Sequence, residues 1–99
     1  VPGLTSLGQN YPNPFNPVTN ITYDVGFVDG PHQQVNLSIY NILGQHVQTL
    51  FRGQQGPGQY SVMWYGRDKS GVSVASGIYF VHMTTSAGEV QTKKVMLLR

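Results

Sequence analysis

The sequence predicts an all-β fold, an immunoglobulin-like antiparallel β-sandwich of about seven strands. Short runs rich in β-branched and aromatic residues alternate with turn signals such as Asp29-Gly30 and residues 68–71. No segment has the apolar spacing of a helix. At 99 residues the chain can form one core but not two. Because the Cys and Trp spacing of antibody domains is absent, the prediction concerns architecture alone.

Residues 1–18 are predicted to be a linker and proline-rich lead-in to a sandwich over residues 19–99. Three prolines fix φ and remove three backbone donors, so this segment can neither continue a helix nor lie in a central strand. We expect it to lie extended across the edge of the domain. The motif that marks the domain boundary consists of Tyr11, Pro12, Asn13, Pro14, Phe15, Asn16 and Pro17.

The first four strands are predicted at residues 19–27, 34–40, 46–51 and 59–65. In the second, apolar and polar residues alternate between Val35 and Ile39, which is typical of a half-buried strand. In the third, Val47 should point inward, and Leu50-Phe51 breaks the alternation, which indicates a bulge or the end of the strand. In the fourth, Trp64 is predicted to be the central aromatic residue of the core.

The last three strands are predicted at residues 72–75, 77–85 and 90–98. In the sixth, Tyr79, Val81 and Met83 should share one face. The seventh is unusual because residues 95–98 are all apolar, whereas a sandwich strand should alternate. Either both of its faces are buried, or one is offered to another protein. The outer face could also pack under the proline-rich lead-in.

The composition argues against catalysis and against a metal or cofactor. Cysteine is absent, and His32, His46 and His82 lack the spacing that would aim two imidazoles at one metal ion. Only four carboxylates are present, too few to favour a general acid and base pair. Residues 68–71 could supply oxygen atoms to Ca²⁺, but a turn capped by Asp68 is the favoured interpretation. The chain is therefore expected not to be an enzyme.

The charge pattern does not favour nucleic-acid binding. The formal net charge of +2 rests on only six Lys and Arg residues, without a continuous basic stripe. No apolar run approaches the roughly 20 residues that span a bilayer. Because the chain begins without Met, we expect it to be a piece from the C-terminal end of a larger protein.

Several aromatic residues leave two interpretations open. They could form a stacking platform for sugars, as in β-sandwich carbohydrate-binding modules. They could equally be aromatic side chains that a loop or a neighbouring domain covers. The residues concerned are Tyr11, Phe15, Tyr40, Tyr65 and Phe80.

Taken together, the motifs resemble a C-terminal sorting domain of the bacterial type IX secretion system, in the branch similar to the Ig-like domain of the flagellar hook-cap protein. The matching segments are LGQNYPNPFNP at residues 7–17, ITYDV at 21–25, VNLSIYNILGQHVQTL at 35–50, GQYSVMWYGRDKSGVSVASGIYF at 58–80 and TKKVMLLR at 92–99. Each motif alone is weak, but in this order they cover nearly the whole domain.

The resemblance implies a secretion address rather than an activity. In that family the domain ends a larger protein that passes through the periplasm, and an outer-membrane translocon carries the protein to the cell surface or the medium. The implied partners are this translocon, a surface sortase and an N-terminal passenger domain. No cleavage motif is evident in residues 1–9, which leaves the sortase in doubt. The implied recognition residues are Gly77, Tyr79, Lys93, Lys94, Val95, Met96, Leu97, Leu98 and Arg99.

The alternative is a non-catalytic carbohydrate-binding or self-assembly Ig-like module of a secreted enzyme. Such a sugar binder should hold insoluble polysaccharide through its aromatic residues, whereas a sorting domain should not.

Overall fold

The computed structural model describes residues 5–8, 18–26 and 32–98, which form seven strands in two antiparallel sheets. One sheet has the strand order β1-β2-β5, and the other has the order β4-β3-β6-β7. The predicted all-β sandwich of about seven antiparallel strands is confirmed. The strands are β1 Ser6–Leu7, β2 Thr19–Val25, β3 Gln33–Asn41, β4 His46–Gln55, β5 Gly58–Trp64, β6 Gly77–Thr85 and β7 Val90–Leu97.

The core lies between the sheets and follows the alternation in the sequence. Every second residue of β2 is buried along its whole length. Trp64 is the largest of the buried side chains, as predicted, and its ring meets that of Tyr79 edge to face at 5.3 Å between centroids. The other buried apolar side chains are Leu7, Ile21, Tyr23, Val25, Val35, Leu37, Ile39, Val47, Val81, Met83, Val95 and Leu97.

Strand β4 carries the predicted bulge. Leu37 pairs with Phe51 and Ser38 pairs with Thr49, so Leu50 is an extra residue in β4. A second shift of register occurs at the next pair of residues along β3. Because β4 continues to Gln55, the alternative that this strand ends at residue 51 is wrong.

The strand predicted at residues 72–75 does not form. The segment contributes only an isolated bridge between Arg67 and Ser73, and it belongs to a loop that folds back on itself. Val74 N donates to Gly66 O within this loop. Val74 packs against the core while Val72 is exposed, so the two valines do not share one buried face as they would in a strand.

Two residues of the predicted lead-in belong to the sandwich. Ser6 pairs with Asp24 and Leu7 pairs with Tyr23, and the Leu7 side chain is buried in the core. A two-residue strand carries too little pattern to be found in a sequence. The division of the chain near residue 18 stays a prediction, and the motif at residues 11–17 lies outside the described residues.

Three strand ends meet at one end of the sandwich, which we call the Trp64 end. In the larger sheet, Asn41 at the end of β3 pairs with Tyr79 near the start of β6. Leu97 at the end of β7 pairs with Gly77. In the other sheet, β5 ends at Trp64, whose ring contacts Tyr79.

Candidate recognition surface

The predicted recognition residues meet along strands β6 and β7. Gly77 pairs with Leu97, and Tyr79 pairs with Val95. Strand β7 is the last strand in the order of its sheet. The fold therefore brings Gly77 and Tyr79 beside the C-terminal strand, while Arg99 lies outside the described residues.

The two faces of β7 differ. Val95 and Leu97 are fully buried, whereas Met96 and Leu98 are exposed. The interpretation that both faces of the strand are buried is therefore wrong. The proposed cover over the outer face, residues 9–17, lies outside the described residues.

Both lysines of β7 are exposed, but they lie on opposite faces of the strand. Lys94 pairs with Phe80 and shares the outer face with Met96. Lys93 pairs with the buried Val81, on the side that continues into Val95. The exposed surface of β7 thus combines apolar side chains with two cations.

Gly77 and Tyr79 shape the start of β6 rather than its surface. The Tyr79 side chain is buried, and its hydroxyl donates to Ala75 O at 2.7 Å. Gly77 has φ +153°, a conformation that residues with a side chain rarely adopt. These two residues can position β7, but the buried Tyr79 ring is not presented to a partner.

Gln91 joins the two sheets, a role that the sequence did not reveal. Its side-chain Oε1 accepts from Leu7 N at 2.7 Å, and its Nε2 donates to Thr5 O at 2.7 Å. The amide thus replaces one residue of a neighbouring strand and holds β1 against β7. A polar residue at an inward position, four residues before the buried Val95, was the available signal.

The outer face of the larger sheet carries an aromatic and imidazole cluster. The Tyr40 ring stands edge to face with the imidazoles of His46 and His82, at centroid distances of 5.6 and 5.9 Å. His82 Nδ1 lies 2.8 Å from Thr92 Oγ1. Tyr40, Phe80, His82 and Thr92 together line a shallow depression.

The five aromatic residues considered as a sugar platform do not come together as a set within the described structure. Tyr40 and Phe80 are paired neighbours on β3 and β6. Tyr65 follows β5 in the other sheet, where its hydroxyl lies 3.8 Å from Met63 Sδ. Tyr11 and Phe15 lie outside the described residues.

Asp68 caps a turn, as its position in the sequence predicted. Its Oδ1 accepts from Ser70 N at 2.9 Å and from Val72 N at 3.0 Å. In this turn, Lys69 N donates a hydrogen bond to Val47 O at 2.8 Å. The turn therefore covers the first part of the edge of β4.

The described part of the chain contains no group of three or more His, Cys, Asp or Glu side chains that could hold a metal ion. It also contains no helix long and apolar enough to cross a membrane. The expectation that the chain is not an enzyme stays a prediction.

Similar folds occur in two proteins of Porphyromonas gingivalis. Dimeric latent PorU from Porphyromonas gingivalis superposes with a TM-score of 0.72 at 19% identity, over 99% of this chain and 10% of PorU. PorZ from the same organism, an essential surface component of the type IX secretion system, superposes with a TM-score of 0.55 at 20% identity, over 96% of this chain and 11% of PorZ. The chain therefore spans about a tenth of each of these proteins.

A third similar fold occurs in a protein of a different kind, the alkylpurine DNA glycosylase AlkC of Pseudomonas fluorescens, bound to DNA that contains an abasic-site analogue. The TM-score is 0.61 at 15% identity, over 98% of this chain and 31% of AlkC. At such identities the three likenesses show a shared fold. No curated protein matches the chain by sequence.

The sequence model of one family covers most of the sandwich. It matches residues 19–89, from the start of β2 to the turn before β7, and so includes both sheets. This match agrees with the predicted resemblance to the Ig-like domain of the hook-cap protein. The chain belongs to the FlgD Ig-like domain family.

Proposed function

We propose that this Ig-like domain is a secretion sorting domain, which directs a larger exported protein across the bacterial outer membrane to the surface or the medium. The fold that it shares with PorU and PorZ of a type IX secretion system supports this proposal. So does the set of motifs, from residues 7–17 to residues 92–99, that resembles type IX sorting domains.

The observation that supports the proposal most directly is that β7 combines buried side chains with exposed ones. Its buried residues, Val95 and Leu97, tie the strand into the core, while Lys93, Lys94 and Met96 remain exposed on it. A receptor could bind the apolar side chains by desolvation, while the two cations set the orientation of the complex. Recognition would then depend on a folded domain rather than on an extended tail.

The partners in this proposal are the outer-membrane translocon and the passenger domain of the same protein. A surface sortase is a further candidate partner, which acts if the domain is removed after export. The domain itself performs no chemical step.

A reporter fusion tests the proposal. Residues 1–99 are joined behind an inert periplasmic reporter and expressed in a host with a type IX system and in the same host without its translocon. We expect the reporter at the surface or in the medium only when both the domain and the translocon are present. Periplasmic retention of a folded, intact fusion in the competent host would contradict the proposal.

The depression lined by Tyr40, Phe80, His82 and Thr92 favours a second candidate function, which is binding of carbohydrate. An aromatic face beside hydroxyl and imidazole groups can stack against a sugar ring and donate hydrogen bonds to it. Retention of the chain on insoluble polysaccharide, lost on Tyr40→Ala and kept on Tyr65→Ala, would support this candidate. Equal passage of all three proteins through the polysaccharide would exclude it.

A further inference from the structure

Exposed apolar side chains gather at the Trp64 end of the sandwich. Among the described residues, eight large hydrophobic side chains are exposed, and seven of them lie on or beside the loops and strand ends of this end. The eighth, Val90, lies at the opposite end. Single exposed apolar residues are common on protein surfaces, whereas a cluster of them at one end indicates a contact surface. The seven are Ile42, Leu43, Met63, Tyr65, Val72, Met96 and Leu98.

The β3–β4 turn holds the most exposed pair in place. Ile42 is 69% exposed and Leu43 is 79% exposed. Asn41 N donates to Gln45 O, and Asn41 Oδ1 accepts from both Leu43 N and Gln45 N. The turn therefore does not depend on the two aliphatic side chains, and it presents them as an ordered, convex tip.

Three cations lie at the same end of the sandwich as this tip. Arg67 and Lys69 belong to the loop that bonds to the start of β4, and Lys94 lies two residues before Met96 on the same face of β7. One carboxylate, Asp68, lies among them, and its Oδ1 accepts from two backbone N–H groups of its own turn. The other two described carboxylates, Asp24 and Glu89, lie toward the opposite end, since β2 runs away from the Trp64 end and Glu89 follows the end of β6.

The described chain begins at the end of the sandwich opposite the Trp64 end. Strand β1 is antiparallel to β2, and Gly26 N donates to Thr5 Oγ1, so the chain enters the described fold at the opposite end. A domain joined before residue 5 would connect there. The apolar tip therefore suits a contact in trans.

We propose that the Trp64 end is a lipid-contacting tip, in which Ile42 and Leu43 enter the interfacial region of an anionic bilayer. Arg67, Lys69 and Lys94 then face the lipid phosphates, and the exposed Tyr65 ring suits the boundary between water and acyl chains. Exposed apolar side chains beside three cations, with Asp68 as the one described carboxylate at this end, match the chemistry of an anionic lipid interface. This proposal shares Lys94 and Met96 with the proposed recognition strand, but it rests on Ile42 and Leu43, which the sorting proposal does not use.

Vesicle binding tests the lipid proposal. The 99-residue chain is mixed with phosphatidylglycerol–phosphatidylcholine vesicles or with pure phosphatidylcholine vesicles, and the bound fraction is measured by sedimentation. We expect binding to the anionic vesicles that weakens as salt is raised. The double variant Ile42→Asn/Leu43→Ser should bind at least about tenfold more weakly, because its tip has little apolar surface to insert.

Val90→Asn provides the matched control, since Val90 is 62% exposed at the opposite end. It should bind as the parent chain does, and thermal melts should show that both variants remain folded. Absence of binding to anionic vesicles, or equal binding by the tip variant and the control, would overturn the proposal. Loss of self-association rather than of vesicle binding in the tip variant would also overturn it and would identify the tip as a contact between copies of the chain.

Discussion

At the scale of single residues, the Gln91 side chain replaces backbone pairing between the two sheets. Its amide forms hydrogen bonds with Leu7 N and Thr5 O. Strands β1 and β7 belong to different sheets of the described structure, so backbone pairing does not join them. Because buried or partly buried backbone groups need a partner, one side chain can decide whether a two-residue strand stays attached to the fold.

Gln91→Ala should lower the free energy of unfolding by about 1–2 kcal/mol, because it leaves a donor and an acceptor of β1 without their partner. Urea unfolding measures this change. Gln54→Ala is the matched control, since Gln54 is an exposed residue of β4, and it should change the free energy by less than about 0.5 kcal/mol. Equal effects of the two substitutions would show that Gln91 does not hold β1.

Ionisation of Tyr23 should lower the stability of the domain at high pH. Burial raises its pKa above the ordinary value of 10.0, and Tyr60 adds to the rise. The fold thus favours the neutral phenol, while the unfolded chain ionises from about pH 10 upward. The stabilisation is complete below pH 10 and is lost as the pH rises through the pKa of the folded state.

Tyr23→Phe should flatten this dependence. Urea unfolding at pH 8 and at pH 11 should show a larger loss of stability in the parent chain than in the variant, even though the variant also lacks the hydrogen bond from Tyr23 to Gln55. Parallel losses in the two proteins would assign the pH dependence to other groups.

At the scale of elements, β7 is both a core strand and the proposed recognition strand. Val95 and Leu97 are fully buried, and β7 pairs with β6 from Val90 to Leu97. A tail outside the core could be removed without loss of stability, whereas removal of β7 takes buried side chains out of the core.

Removal of residues 93–99 should therefore unfold the domain rather than only delete a signal. Loss of two buried aliphatic side chains costs roughly 4–10 kcal/mol, which is comparable with the roughly 5–15 kcal/mol total stability of a small domain. Circular dichroism on heating should show no cooperative transition in the truncated chain. A cooperative transition near that of the full chain would contradict this prediction.

The elements that could be predicted from the sequence are those whose pattern is local. Buried residues alternate with less buried ones from Gln33 to Leu37 in β3 and from Tyr79 to Met83 in β6, and the predicted positions of both strands are nearly those observed. β1 could not be predicted, because its pairing depends on β2 and on Gln91, which are distant in the sequence. The segment at residues 72–75 was predicted as a strand because it is a short run with β-branched residues between turn signals, but it forms only an isolated bridge between Arg67 and Ser73.

The candidate site was only partly accessible from the sequence. The family resemblance predicted that Gly77 and Tyr79 lie beside the C-terminal strand, and the register agrees. Ile42 and Leu43 fall between the strands predicted at residues 34–40 and 46–51, but the sequence did not show that Met63, Val72 and Met96 gather at the same end of the sandwich.

At the scale of the whole molecule, the two ends of the sandwich differ in character. The chain enters at one end, near Gly26, and β7 finishes at the other, where exposed apolar and cationic side chains collect. A domain built in this way can present its distal end and its last strand while a preceding domain stays out of contact. This polarity agrees with the proposed sorting function.

The export of exposed-face variants tests the sorting proposal most directly. The triple variant Lys93→Gln/Lys94→Gln/Met96→Thr alters the exposed surface of β7 but keeps the buried Val95 and Leu97. Arg52→Gln removes an exposed cation from β4, at the other edge of the same sheet, and serves as the control.

Both variants are fused to the periplasmic reporter, checked for a cooperative thermal transition, and compared for reporter outside the cell. We predict that the Arg52 control exports as the parent does, while the β7 variant exports at least about tenfold less, since a receptor loses both its apolar contact and its cations. Export of the folded β7 variant at the parent level would contradict the sorting proposal.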